Sequence, residues 1–159
     1  MQLFLAGVAP WRSGGGYDPI IRKHRPYILE SFYYVDEDTE RLLPYFGDFL
    51  LDSGAFTFMQ NAKSHVNWND YIEKYADFIN RNDIHKFFEL DIDSVIGYSK
   101  VKEFRKTLER LTGKQCIPVW HKSRGWMSSK GCVMNTIMRQ SAALLQKKSN
   151  QINTALFHQ

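Results

Sequence analysis

The chain has 159 residues, with 21 Lys plus Arg against 17 Asp plus Glu and a formal charge of +4, for a pI near 9.0. Its 43% hydrophobic and 14% aromatic content is enough to build a core and excludes intrinsic disorder for most of the length. The charge is uneven: residues 1–124 carry 17 basic and 17 acidic side chains, whereas residues 125–159 carry four basic and none acidic. The basic pI therefore reports on the tail and is no argument for a polyanionic partner of the rest. No apolar run approaches the roughly 18 residues of a spanning helix, and MQLFLAGVAPW lacks the charged start and long apolar stretch of a signal peptide. A cytoplasmic protein with no membrane partner is expected. Cys116 and Cys132 make neither a disulfide framework nor a CxxC metal site, so no metal is expected either.

In chain order, residues 3–8 read as a short buried strand. The loop Ser13-Gly14-Gly15-Gly16-Tyr17 lacks a P-loop Lys and a GxGxxG spacing and reads as flexible. Residues 26–34 read as a helix. Phe49-Leu50-Leu51 reads as a second buried strand, stopping at Asp52-Ser53-Gly54. From Trp68 the apolar residues Trp68, Tyr71, Ile72, Tyr75, Phe78 and Ile79 fall three and four apart and make one helix face, and Asn67 with Asp70 resembles a capping box. Residues 87–92 and 116–120 are two further strands. The helix between them runs from Tyr98 to Thr112, with Val101, Phe104, Leu108 and Leu111 inward and Gly113 beyond its end. Its Lys102, Glu103, Arg105, Lys106, Glu109 and Arg110 read as a solvated face.

Strand, helix, strand repeats imply an α/β fold with a parallel sheet and helices outside it. Four strands and three helices make the N-terminal half of a (β/α)8 TIM-type barrel, or a small doubly wound domain. Three strands end in groups able to do chemistry: Asp52 and Ser53, then Asp91 and Asp93, then His121. In parallel α/β architectures ligands bind at the carboxyl ends of strands. Each residue alone has a plainer reading: Asp52 as an Asx-turn, Asp93 as a helix cap, His121 as a polar strand terminus. Asp91 lies inside an apolar run, where a carboxylate needs a donor or ligand. Several carboxylates around a pocket suit displacement at a sugar anomeric carbon, and glycoside hydrolysis and nucleobase exchange both fit. Phe56, Phe58 and Trp120 could stack on a sugar or a purine, although aromatic stripes are more often core.

The segment FLLDSGAFTFM (residues 49–59), followed by YADFIN, FFELDIDSVIGY and CIPVWHKSRG, resembles the tRNA-guanine transglycosylase superfamily over residues 1–124, in the style of its phage and bacterial members that place 7-deazaguanines in nucleic acid. The resemblance implies a barrel that exchanges guanine for a 7-deazapurine in tRNA or DNA through a covalent Asp intermediate, with no cofactor. Asp52 matches the family Asp that follows strand two and serves in proton transfer or in an early catalytic role; Ser53 and Gly54 complete its turn. Asp91, or Asp93, matches the carboxylate that reads the purine edge, and acceptors there suit guanine N1–H and N2–H. Phe56 and His121 complete the substrate-binding set, and Ala55 replaces the second Gly of the commoner DSGGF. The family's nucleophilic Asp and its zinc cluster belong to the second half of the barrel and have no counterpart in residues 1–124. The partners implied are a purine or 7-deazapurine base and, in the intact family, tRNA or DNA; a further copy of the chain stays a candidate.

Residues 125–159 resemble nothing in that family. Read one base out of phase, with suitable codon choices, they regain acidic residues and an apolar strand YAAIGGIV; Trp126-Met127 forces an Asp and Met134-Asn135 a Glu. An out-of-frame tail is therefore expected. A chain ending there would be inactive alone and poorly soluble, because half a barrel leaves its interior uncovered. The other reading of Met134, Ile137, Met138, Ala142 and Leu145, at near-helical spacing, is a basic helical appendage. A glycosidase-like barrel and a non-enzymatic nucleic-acid-binding module are the remaining functional alternatives.

Overall fold

Residues 26–34, expected as a helix, contain a strand. In this computed structural model, which describes residues 3–7, 16–61 and 66–120, Ile28 and Glu30 are buried while Tyr27, Leu29 and Ser31 are half-buried. That alternation has the period of two of a strand with one covered face, and Tyr and Ile suit its pleated surface. The helices of this region lie on either side of the strand. They are short, at Asp18–His24 and Glu37–Leu42, so no long three-and-four pattern marks them.

The elements are β1 (Leu5–Ala6), α1 (Asp18–His24), β2 (Tyr27–Ser31), α2 (Glu37–Leu42), a 3-10 turn (Leu43–Tyr45), β3 (Asp48–Asp52), α3 (Ala55–Asn61), α4 (Trp68–Arg81), α5 (Asp93–Ile96) and α6 (Tyr98–Thr112). The sheet has three strands in the order β1, β2, β3, all parallel. Two single parallel pairs extend that order, Leu51 with Phe87 and Phe88 with Ile117. Successive strand segments thus lie side by side with helical connections between them, which is an α/β architecture. The chain divides into units Met1–Ile117 and Pro118–Gln159. Only residues 118–120 of the second are described, so the out-of-frame reading of 125–159 falls outside the described residues, as does most of the glycine-rich loop.

Local chemistry sets the helix ends. Asp36 caps α2 by accepting the Thr39 N–H at 2.9 Å, and Asn67 caps α4 through the Asn69 N–H at 3.2 Å. The α4 cap therefore bonds one residue earlier than the expected box with Asp70. Gly113, at φ +65°, ends α6 in the left-handed conformation, which costs glycine little.

The core lies between the sheet and its helices. Register pairs Ile28 with Phe49 and Glu30 with Leu51, so these residues share the face toward the helices. Leu51 and Phe87 are fully buried there against Ile72, Tyr75, Ile79 and Leu108 of α4 and α6, and each such apolar side chain contributes about 1.5–3 kcal/mol. A second cluster joins Ile21, Ile28, Leu42 and Phe46. The opposite face carries Ala6, Leu29, Leu50, Phe88 and Ile117 in register, and all of them keep solvent exposure. β1 departs from the expected buried strand: Leu5 is exposed, as is Leu3, because β1 lies at an edge of the described sheet.

Candidate functional site

β3 ends at Asp52, which the register places beside Ser31 at the end of β2. Because 26–34 contributes a strand, Asp52 closes the third strand rather than the second. By the period of two, Ser31 and Asp52 belong to the face with Leu29 and Leu50, away from the helices. The Asp52 Oδ2 accepts the Gly54 N–H at 2.9 Å, the Asx-turn geometry that this residue type favours. Its Oδ1 has no hydrogen-bond partner among the described residues. Asp52 can therefore accept a further hydrogen bond without leaving its turn.

The turn itself admits one residue type at position 54. Gly54 has φ +65°, and an added Cβ would come within 2.6 Å of both the Ser31 Oγ and the Tyr33 backbone nitrogen. Ser53 is buried, with its Oγ 3.5 Å from the Ala55 N–H. Ala55, in place of a second glycine, is fully buried as the first residue of α3 and has no positive φ, so a methyl group there brings no backbone strain.

Two tyrosines of α4 hold the backbone on either side of Asp52. The Tyr71 hydroxyl donates to the Ser53 carbonyl at 2.6 Å. The Tyr75 hydroxyl donates to the carbonyls of Leu51 at 3.3 Å and Phe88 at 3.1 Å, bridging β3 and the next strand segment. Burial first, then the negative charge of Asp52, pushes both hydroxyls well above the ordinary tyrosine value. Both remain protonated donors. Helical spacing marked these residues as core, which they are; that their hydroxyls reach the strand end was not legible in spacing alone.

The other expected residues distribute as follows. Asp91 is half-buried three residues beyond Phe88, and Asp93 is the first residue of α5. Both lie past the carboxyl end of the segment next to β3, so topology brings them to the Asp52 end of the sheet. The cap position before Asp93 is Ile92; Asp93 itself sits in the first turn, where the helix dipole favours a negative charge. Phe56 is exposed on α3, whereas Phe58 packs its ring against Tyr71 at 4.9 Å and belongs to the core. Trp120 is exposed, and His121 lies outside the described residues.

The fully buried carboxylate in this region is Glu89 rather than Asp91, at 0% exposure. Its Oε2 meets the Arg105 Nε at 2.6 Å and Nη2 at 2.5 Å. Arg105 is thus removed from the solvated face expected for α6. Burial works against its charge, but Glu89 more than offsets this and raises the guanidinium above its ordinary value. Glu89 follows Phe87 at a spacing of two, which puts it on the helix side, away from the Asp52 site. The signal was present: one charge inside FFEL needs a cation, and α6, the next long helix, carries several.

At the opposite, amino end of the strands lies a cavity of about 330 Å³ bordered by Glu40, Asp48, Phe49, Asp83, His85 and Lys86. Its charges are engaged with one another or with neighbours: Lys86 with Asp48, Lys114 with Asp83 at 2.8 Å, Arg81 with Glu40 at 2.5 Å. Charges paired in this way at a surface add little to stability and are not free to meet a ligand. Among the described residues no cluster of His, Cys, Asp and Glu is arranged to hold a metal ion, and no helix is long and apolar enough to cross a membrane. Comparison with family models, with curated proteins and with solved structures yields no match.

Proposed function

We propose that this chain supplies the N-terminal part of a (β/α)8-type barrel, with five strand segments among the described residues rather than the four of a half barrel, and holds a purine or 7-deazapurine base at their carboxyl ends as part of a nucleobase-exchange enzyme acting on tRNA or DNA. The observation that carries this reading is strand order. Five parallel segments follow one another in chain order without reversal, as in a barrel; a doubly wound sheet reverses its order at the ligand crevice. The half-exposed apolar face of Leu29, Leu50, Phe88 and Ile117 supports it further, because that face corresponds to the packed interior of a closed barrel.

On this reading Asp52 exchanges protons with the bound base from a turn fixed by Ser53 and Gly54. Asp91, or Asp93, accepts hydrogen bonds from the purine edge, and Phe56 offers a ring for stacking; the expected pocket residue His121 lies outside the described residues. No residue of the chain is given the role of covalent nucleophile, so the chain alone is proposed to bind the base without turnover. The test is thermal unfolding of the full chain with guanine or 7-aminomethyl-7-deazaguanine. A ligand at a hundred times its Kd adds about 2.7 kcal/mol, equivalent to a rise of about 5–11 °C at the roughly 2–4 °C per kcal/mol expected for a chain of this size. Asp52→Asn should remove most of that rise. Absence of any rise, or an equal rise in Asp52→Asn, refutes the proposal, and stabilisation by an oligosaccharide instead favours a glycosidase-like barrel.

A further inference from the structure

Three groups around Asp52 form a continuous hydrogen-bond chain. The Tyr71 hydroxyl donates to the Ser53 carbonyl at 2.6 Å. That carbonyl and the Gly54 N–H are the two ends of one peptide group, and the Gly54 N–H donates to the Asp52 Oδ2 at 2.9 Å. We propose that Tyr71 is a positioning residue for Asp52, acting through the Ser53–Gly54 peptide: its hydroxyl polarises that peptide, strengthens the Gly54 N–H as a donor, and so orients the carboxylate toward the helix-free face of the sheet.

Hydrogen bonds in a chain polarise one another, and more so in a poorly solvated interior. Tyr71 and Ser53 are both buried, so water does not compete for the first link. The Tyr71 ring is held independently of its hydroxyl, by Phe32 at 5.7 Å, Phe58 at 4.9 Å and Trp68 at 5.8 Å. Asp52 in turn acts on Tyr71: the carboxylate charge is among the causes that raise the hydroxyl, second only to burial, so the two groups are electrostatically coupled as well as linked. Tyr75, one helical turn on, donates to Leu51 and Phe88 instead. It supports the strands and leaves the Ser53–Gly54 peptide alone, which makes it a control within the same helix face.

The functional meaning of this role rests on the reading of Asp52 as the working carboxylate. The experiment is amide hydrogen exchange and proton chemical shift of Gly54 in the ligand-free full chain, with Tyr71→Phe and Tyr75→Phe. Tyr71→Phe should move the Gly54 amide proton upfield and speed its exchange about twofold, as expected where polarisation strengthens a bond by about 10–30%, while the Phe58 amide, bonded to the Gly54 carbonyl at 2.9 Å, stays as in the parent. Tyr75→Phe should instead act on the Asp52 and Glu89 amides, the N–H ends of the two peptides whose carbonyls it holds. 3-Fluorotyrosine at position 71, a stronger donor of nearly the same shape, should move Gly54 downfield and keeps the question answerable if the Phe variant folds poorly. An unchanged Gly54 amide in Tyr71→Phe, or a uniform change at Gly54, Phe58 and Phe88, overturns the proposal. Because no base is present, failure here leaves base binding at Asp52 standing, and failure of a base to bind leaves this result standing.

Discussion

Arg105→Met tests the most heavily buried charge in the described chain. Glu89 has 0% side-chain exposure and Arg105 16%, so the pair interacts where solvent screens it little. At an effective dielectric of about 20, two unit charges 4 Å apart interact by about 4 kcal/mol. Removing one partner of a buried pair and stranding the other costs about 3–5 kcal/mol, a large share of the roughly 5–15 kcal/mol that holds a domain folded. Urea unfolding followed by far-UV circular dichroism reads this as a fall in midpoint at constant slope. The double variant Glu89→Leu/Arg105→Met, which replaces the pair with apolar volume, should return to within about 1 kcal/mol of the parent. Arg81→Met is the control: its pair with Glu40 is 59% and 36% exposed and should cost under about 1 kcal/mol. If Arg105→Met costs no more than Arg81→Met, or the double variant is as unstable as the single, Glu89 is not a buried charge that depends on Arg105.

The two faces of β3 should respond unequally: Leu51→Ala, at 0% exposure, should cost about 2–5 kcal/mol, and Leu50→Ala, half-exposed on the helix-free face, clearly less in the same urea assay. Gly54→Ala should cost more than about 1 kcal/mol, because the positive φ and the 2.6 Å approaches to Ser31 and Tyr33 act together; a neutral result would mean that the turn relaxes freely. Tyr71 and Tyr75 have hydroxyls raised above the ordinary value of 10.0. Their contribution is therefore fully present below pH 10 and is lost above it, as the unfolded tyrosines ionise first. A midpoint measured from pH 8 to 11.5 should fall at the alkaline end, and less steeply in Tyr71→Phe or Tyr75→Phe.

Long periodic elements were legible. The apolar positions of α4 and α6 repeat at three and four over 14 and 15 residues, and Gly113 marks the end of α6 because only a residue comfortable at positive φ fits there. β2 was not legible. In YILES the alternation is carried by Glu30, a buried polar residue whose Oε2 receives the Thr39 hydroxyl at 3.4 Å, so the inward face does not look apolar. Asp52 was found because a strand stopping at Asp-Ser-Gly is a local pattern. Glu89 and Asp91 were confused because an apolar run of strand length does not say where the strand ends. Pairing reaches only Phe88 and Ile117, so Glu89 keeps the strand alternation and turns inward while Asp91 lies beyond it. The hydroxyls of Tyr71 and Tyr75 reach strand carbonyls 18 and 24 residues away, a relation that only the folded chain creates.

The central claim, a base held at the carboxyl ends of the strands beside Asp52, is tested most directly by titrating 7-aminomethyl-7-deazaguanine into the isotopically labelled full chain and following backbone amides. The account predicts saturable shifts at Ser53, Gly54 and residues 91–93, abolished in Asp52→Asn. Shifts confined to residues 82–86, at the cavity on the amino ends of the strands, or no saturable shift anywhere in residues 51–54 and 91–93, would contradict it.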